Sequence, residues 1–220
     1  MRLRMVVFDV DGTLIDSQHH ICAAMDQAFG EMGLVAPARV DVLGIVGLSL
    51  PQAMARLAPG LPLADLDELV ARYKRAFASL RADMLSPLYP GARAMLDALA
   101  AMPEMLLGIA TGKSRRGLAH ILAAHDLARY FVTVQVADDH PSKPHPSMIH
   151  ACLRETGVAA GDTVMLGDTS HDMEMARAAG VHRLGVSWGY HRPEALDAPV
   201  ISEFAALAGA LQAIWTGARI

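Results

Sequence analysis

The chain has 220 residues, 53% hydrophobic and 19% charged, which excludes a disordered chain and supplies a substantial core. The formal net charge is −4 and no basic run is longer than Arg115-Arg116, so nothing points to nucleic acid. No apolar stretch reaches the roughly 18 residues of a membrane span. The two cysteines, Cys22 and Cys152, lack CxxC spacing and read as thiols of a reducing compartment. The basic N-terminus meets an apolar run that Asp9 and Asp11 break at once. No signal peptide is therefore expected, and a cytoplasmic soluble protein is the default.

The first element is the run Met5-Val6-Val7-Phe8, short, β-branched and uninterrupted, which reads as a buried strand. Asp9-Val10-Asp11-Gly12-Thr13 follows where strand gives way to loop. Alternation along a strand puts Asp9 and Asp11 on one side. Two carboxylates so close repel each other unless a cation or a shared proton relieves them. A bound divalent metal, with one acid left for covalent or proton-transfer work, satisfies that need. A loop-capping pair ahead of a glycine turn satisfies it equally at this point.

No strand signal appears from Leu14 to Met105, although a βα connection needs only a few residues. The intervening sequence is helical. Ile21, Met25, Ala28, Phe29 and Met32 form one apolar stripe, and Leu66, Leu69, Val70, Tyr73, Phe77 and Leu80 form another. The Gly-punctuated stretch Leu43–Ser49 lies between them, with a short helix after Pro51. Ser86-Pro87-Leu88-Tyr89-Pro90-Gly91 is a stiff return to the core. Residues 16–85 thus read as a small helical second domain, and 1–15 plus 86–220 as the core. A lid hinged beside Asp9 and Asp11 is the expected arrangement. His19 and His20, at its entrance, read as solvated helix-start histidines.

Four further apolar runs read as strands: Met105–Ala110, Phe131–Val136, Thr163–Gly167 and His182–Val186. Amphipathic helices separate the later ones, and the alternation predicts an α/β fold, a Rossmann-like parallel sheet flanked by helices. Ligands bind at the carboxyl ends of such strands.

The second strand ends in Ala110-Thr111-Gly112-Lys113-Ser114. Gly108 and Gly112 enclose three residues where a Walker A loop needs four. Thr111, Gly112 and the next helix N-terminus instead suit a small anion cradle, with Ser114 as N-cap. The third strand leads to Ser142-Lys143-Pro144-His145-Pro146. The chain has three lysines against 16 arginines, so a lysine fixed between prolines in a strand-end loop draws notice. Its ammonium suits a phosphate oxygen, though most lysines simply face solvent. The fourth strand ends in Gly167-Asp168-Thr169-Ser170-His171-Asp172. Asp172 complements the dipole of the helix it opens, which does not account for Asp168. A metal shared by Asp9 and Asp168 requires their strands to be neighbours.

Asp9-Val10-Asp11-Gly12-Thr13, Thr111-Gly112, Lys143-Pro144 and Gly167-Asp168 through Asp172, in that order and with the helical insert after the first, resemble the haloacid dehalogenase-like superfamily. The likeness is greatest to its phosphoglycolate phosphatase-like branch, including Val46-Gly47-Leu48-Ser49-Leu50 in the insert. The resemblance spans nearly the whole chain. It implies a phosphatase acting on a small-molecule phosphate ester, with Mg²⁺ as cofactor. Asp9 would be the nucleophile that forms an aspartyl-phosphate, and Asp11 the acid and then the base. Thr111, Gly112 and Lys143 would hold the phosphoryl oxygens. The Asp9 carboxylate, the Asp11 main-chain carbonyl and Asp168 would bind the metal, with Asp172 supporting its water shell or orienting Lys143.

Dehalogenases of the superfamily lack the second acid of the first motif, and phosphonatases replace it and use a cap lysine; here Asp11 is present and residues 16–73 contain no lysine. Mutases of the β-phosphoglucomutase type keep both acids but carry an arginine where this chain has Leu50. A phosphomutase is therefore the alternative reading, and a non-enzymatic regulatory protein on the same fold is a lesser one. Monomer and homodimer are equally compatible with the sequence.

Overall fold

The computed structural model describes residues 2–218. Strand β1 (Arg4–Phe8) is central, with β2 (Met105–Thr111) on one side and β4 (Thr163–Gly167) on the other. β3 (Thr133–Val136) extends the sheet beyond β2, and β5 (His182–Val186) and β6 (Val200–Ile201) extend it beyond β4. The order is β3-β2-β1-β4-β5-β6 and every pair is parallel. The chain builds outward from β1, then returns to its other flank. The crevice where that direction reverses opens at the carboxyl ends of β1 and β4.

Parallel strands buried on both faces need apolar side chains throughout. Val6 and Phe8 enter one cluster with helices α5 (Ala92–Ala100), α6 (Arg115–Ala124) and α9 (Leu207–Thr216). Met5 and Val7 enter the opposite cluster with α7 (Ser147–Thr156) and α8 (Ser170–Ala179). Among the described residues no helix is long and apolar enough to cross a membrane.

Between β1 and β2 lie α1 (Gln18–Glu31), α2 (Arg39–Gly44), α3 (Leu50–Leu57) and α4 (Leu63–Asp83). Their apolar faces close on a cluster of their own, with Ile21, Met25, Phe29, Met54 and Leu69 at its centre. The chain leaves and re-enters the core side by side. Asp16 donates its N–H to the Pro87 carbonyl at 2.9 Å, and Tyr89 donates to the Leu14 carbonyl at 3.0 Å. Ile15 and Leu88 form an antiparallel bridge there.

Three features differ from the sequence reading. β3 begins at Thr133 rather than Phe131, whose ring instead meets Phe8 edge-on at 6.2 Å. β6 and α9 lie past the last element read from the sequence; a two-residue strand is too short to show a period. His20 is buried and hydrogen-bonded to the Ser86 hydroxyl at 2.9 Å, so only His19 is the solvated helix-start histidine expected.

Leu166 on β4 is wholly buried in the first cluster. Leu166→Ala should lower unfolding free energy by about 2–5 kcal/mol. The measurement is the urea midpoint at unchanged m-value; a loss below about 1 kcal/mol would contradict this placement.

Candidate active site

β1 stops at Phe8, before either acid, so strand alternation does not govern Asp9 and Asp11. The Asp9 N–H still donates to the Leu166 carbonyl at 3.0 Å, prolonging the pairing with β4 by one residue. Asp9 and Asp168 therefore emerge side by side. Gly12 turns the chain away with φ of +80°, and a Cβ there would stand 2.1 Å from Asp168 Oδ2. Gly189, in the loop after β5, makes an equally close approach, 2.1 Å from the Asp168 Cβ. Only glycine leaves room for Asp168 at both places.

The two acids of the first motif have different surroundings. Asp11 lies beside Lys113, whose Nζ donates to its carboxylate oxygens at 2.8 and 2.9 Å. The Ser17 hydroxyl donates to the same carboxylate in a very short bond. Tyr190 holds Ser17 in turn, accepting its N–H at 3.0 Å. Asp9 faces the other way, into the buried polar interior behind the strand ends.

Lys143 is at the centre of that interior. It is not the solvated lysine that most are: its ammonium is wholly buried. Its Nζ donates to Asp172 Oδ1 at 2.6 Å and lies 3.0 Å from Asp9 Oδ1. Burial works against its charge, but Asp172 and Asp9 outweigh it and hold the ammonium above its ordinary value. Asp172 is engaged on both sides, since its Oδ2 accepts from the Thr169 hydroxyl at 2.6 Å and the Thr169 N–H at 3.1 Å. It is thus the helix-opening acid of a capping box and the partner of Lys143 together.

Asp168 accepts from the Thr13 hydroxyl at 3.0 Å and the Tyr190 N–H at 2.9 Å. Asp9 has no such support: neither oxygen has a partner in hydrogen-bond geometry, although both are buried. Burial pushes Asp9 up to about 7 against the pull of Lys143, and Asp172 and Asp11 add to the rise. Asp168 is raised in the same direction by burial, then by Asp172 and Asp9. Oxygens of Asp9, Asp168 and Asp172 lie within 4.8 Å of one another. Three carboxylates with one ammonium among them form a hard oxygen donor set short of positive charge. A divalent cation that prefers oxygen fits that set. The Asp11 side chain stands outside it, paired with Lys113.

A cavity of about 370 Å³ opens in front of Asp9. Asp9, Asp11, Thr111, Gly112 and Lys113 line its core side; α1, α4 and the loop before α3 line the other. Thr111 ends β2 and is buried. A Cβ on Gly112 would meet the Gly47 and Leu48 carbonyls at 2.6 and 2.7 Å, so glycine lets the loop close down here. Ser49 N–H donates to the Ser142 hydroxyl at 2.7 Å, a second contact of that loop with the core. The sequence reading had not assigned Lys113, Ser17, Thr13 or Tyr190 to the site. The strand-end rule, applied to the loop after β5, leads to Gly189 and Tyr190.

Fold and site define an α/β protein with a cluster of acidic residues at the carboxyl ends of a parallel sheet. The chain belongs to the haloacid dehalogenase-like hydrolases, whose family pattern matches residues 6–186, and it is a phosphatase of that family. It is 32% identical over 220 residues to the probable phosphatase IndB of Dickeya dadantii, covering 96% of this chain and 94% of that one. It is 34% identical over 206 residues to a phosphoglycolate phosphatase of Pseudomonas fluorescens, covering 90% and 75%. A predicted phosphoglycolate phosphatase from Haemophilus somnus has the same fold, with TM-score 0.85, 22% identity and coverage of 96% and 98%.

The raised acids set a pH dependence. A carboxylate whose folded value exceeds its unfolded value favours folding while protonated; for Asp9 that contribution is complete below the ordinary 3.8 and is lost as pH rises through about 7. In EDTA, the wild type should lose thermal stability relative to Asp9→Asn as pH rises from about 4 to about 7, and level off above that. Differencing against Asp9→Asn cancels the histidines. A constant difference across that range would contradict the burial of an uncompensated Asp9.

Proposed function

We propose that the protein hydrolyses small phosphomonoesters through an aspartyl-phosphate on Asp9, with Mg²⁺ as cofactor. The observation that carries this reading is the Asp9 carboxylate: buried, without hydrogen bonds, and lining the cavity beside Asp168 and Lys143. A carboxylate left without hydrogen bonds retains its lone pairs for attack on phosphorus. Its approach to a phosphate dianion requires neutralising charge. Lys143 supplies one positive charge. Asp9, Asp168 and the Asp11 main-chain carbonyl would hold Mg²⁺, which supplies further charge neutralisation.

Thr111 and Gly112 edge the space in front of Asp9, where their hydroxyl and N–H would hold phosphoryl oxygens together with Lys143. Asp172 keeps the Lys143 ammonium charged and aimed. Asp11 faces the leaving-group side. There it would give a proton to the departing oxygen in the first step and take one from the attacking water in the second. Lys113 and Ser17 hold the Asp11 carboxylate in place for both steps. Residues 16–85 act as a cap over this site, pivoting at the paired strands around Ile15 and Leu88. Relatives named as phosphoglycolate phosphatases place their substrate among the small phosphate esters, with sugar phosphates the next class to examine. A reducing, cytoplasmic setting fits the free Cys22 and buried Cys152.

Asp9→Asn should lower kcat by about 10⁴-fold or more. Asp11→Asn should lower it by about 10²–10⁴-fold with a smaller change in substrate affinity. Phosphate release assays check both; near-wild-type turnover by Asp9→Asn would end the covalent mechanism. EDTA should abolish activity and added Mg²⁺ restore it. Mg²⁺ should also raise the unfolding temperature of the wild type more than that of Asp168→Asn.

A further inference from the structure

The side of the cavity that receives the leaving group is set by Asp11. Its partner Lys113 lies with Nζ 5.2 Å from the centroid of the Phe77 ring on α4. Tyr73, one helical turn earlier, faces the same place. Burial and then the charge of Asp11 hold its phenol above its ordinary value. Its hydroxyl has no hydrogen-bond partner among the described residues. The Tyr73 and Phe77 rings lie 5.8 Å apart with 32° between their planes. Ile21, Met25, Val46 and Leu48 continue this wall. A group leaving from beside Asp11 therefore enters a space walled by these two aromatic rings and the aliphatic side chains beside them. The 370 Å³ of space is of the size that holds ligands with several rings, typically about 300–1,000 Å³.

The charges point the same way. Lys113 is committed to Asp11. The other cations of the lining, Lys74, Arg81 and Arg116, have no acidic partner among the described residues, and Lys74 and Arg116 are exposed. Arg81 lies eight residues beyond Tyr73, about 12 Å along the helix. The carboxylate of a two-carbon acid extends only about 4 Å from its ester oxygen, three bonds of about 1.2–1.5 Å. Within that reach it lies beside the Asp11 carboxylate and the aromatic wall, where it meets a like charge and gains little from the rings.

Resting on the phosphatase reading, we infer that this site is shaped for phosphomonoesters whose leaving group carries an aromatic ring, packed against Phe77 and Tyr73, and that phosphoglycolate is a poor substrate. The aromatic faces hold the ring by offset or edge contacts. The Tyr73 hydroxyl serves a polar atom of the same group.

The test compares kcat/KM, by phosphate release with Mg²⁺, for benzyl phosphate, a nucleoside 5′-monophosphate, glucose 6-phosphate and phosphoglycolate. Benzyl phosphate and phosphoglycolate both leave as alkyl alcohols, which limits differences in intrinsic reactivity. The two aromatic esters should exceed phosphoglycolate by about 30-fold or more. Phe77→Ala should shrink that ratio about tenfold and Phe77→Leu less, since the ring contact is what is removed. In titration calorimetry on Asp9→Asn with Mg²⁺, benzylphosphonate should bind about tenfold more tightly than methylphosphonate, a readout independent of turnover. Phosphoglycolate or glucose 6-phosphate matching the aromatic esters, an unchanged ratio in a folded Phe77 variant, or equal phosphonate affinities would overturn the inference while leaving the phosphatase reading intact. Failure to hydrolyse any of the four esters would overturn both.

Discussion

The site depends on an ammonium buried among carboxylates. Lys143 joins Asp172 on α8 to Asp9 at the end of β1, so three segments distant in sequence are held by one charge. Removing Lys143 would leave two carboxylates buried without their cation, which is far costlier than the pair is stabilising. The surrounding devices protect that balance. Thr169 occupies the far oxygen of Asp172, Thr13 and Tyr190 occupy Asp168, and Gly12 and Gly189 make the space. Asp9 alone is left without hydrogen bonds, at the one place where the cavity reaches the cluster.

Asp11 belongs to a separate arrangement. Its ion pair with Lys113 lies under the Phe77 ring, so a core acid is tied through a core lysine to a helix of the inserted segment. The acid proposed to move protons and the wall proposed to receive the leaving group are thus adjacent. The close approach of Gly112 to the Gly47 and Leu48 carbonyls sets how far the inserted segment comes down. A side chain at 112 would hold it off by the width of a methyl group.

What was legible in the sequence follows from what is local. The strands showed as short apolar runs, and α1 and α4 as stripes of period 3.6, because burial demands those patterns directly. The neighbourhood of Asp9 and Asp168 was conditional on strand order, which periodicity does not encode. Lys143 was linked to Asp172 only through the family resemblance, because the two lie 29 residues apart and lysines ordinarily face solvent. The Lys113–Asp11 pair, 102 residues apart, was hidden for the same reason. His20 misled because the hydroxyl that satisfies it, on Ser86, comes from the far end of the insert. Tyr190 was accessible to the strand-end rule, but β5 carries no acid or lysine at its end to draw attention to it.

The paired chains at Ile15 and Leu88 have a consequence for how such a protein changes over evolutionary time. Both ends of the insert pass through one point, hydrogen-bonded to each other rather than spread over the sheet. The apolar cluster among α1–α4 is separate from the two clusters of the sheet. A replacement segment needs only to begin and end at adjacent strands and to seat a small residue over Gly112. The chemistry at Asp9 and the choice of substrate can then be inherited separately, as two modules joined at a single crossing.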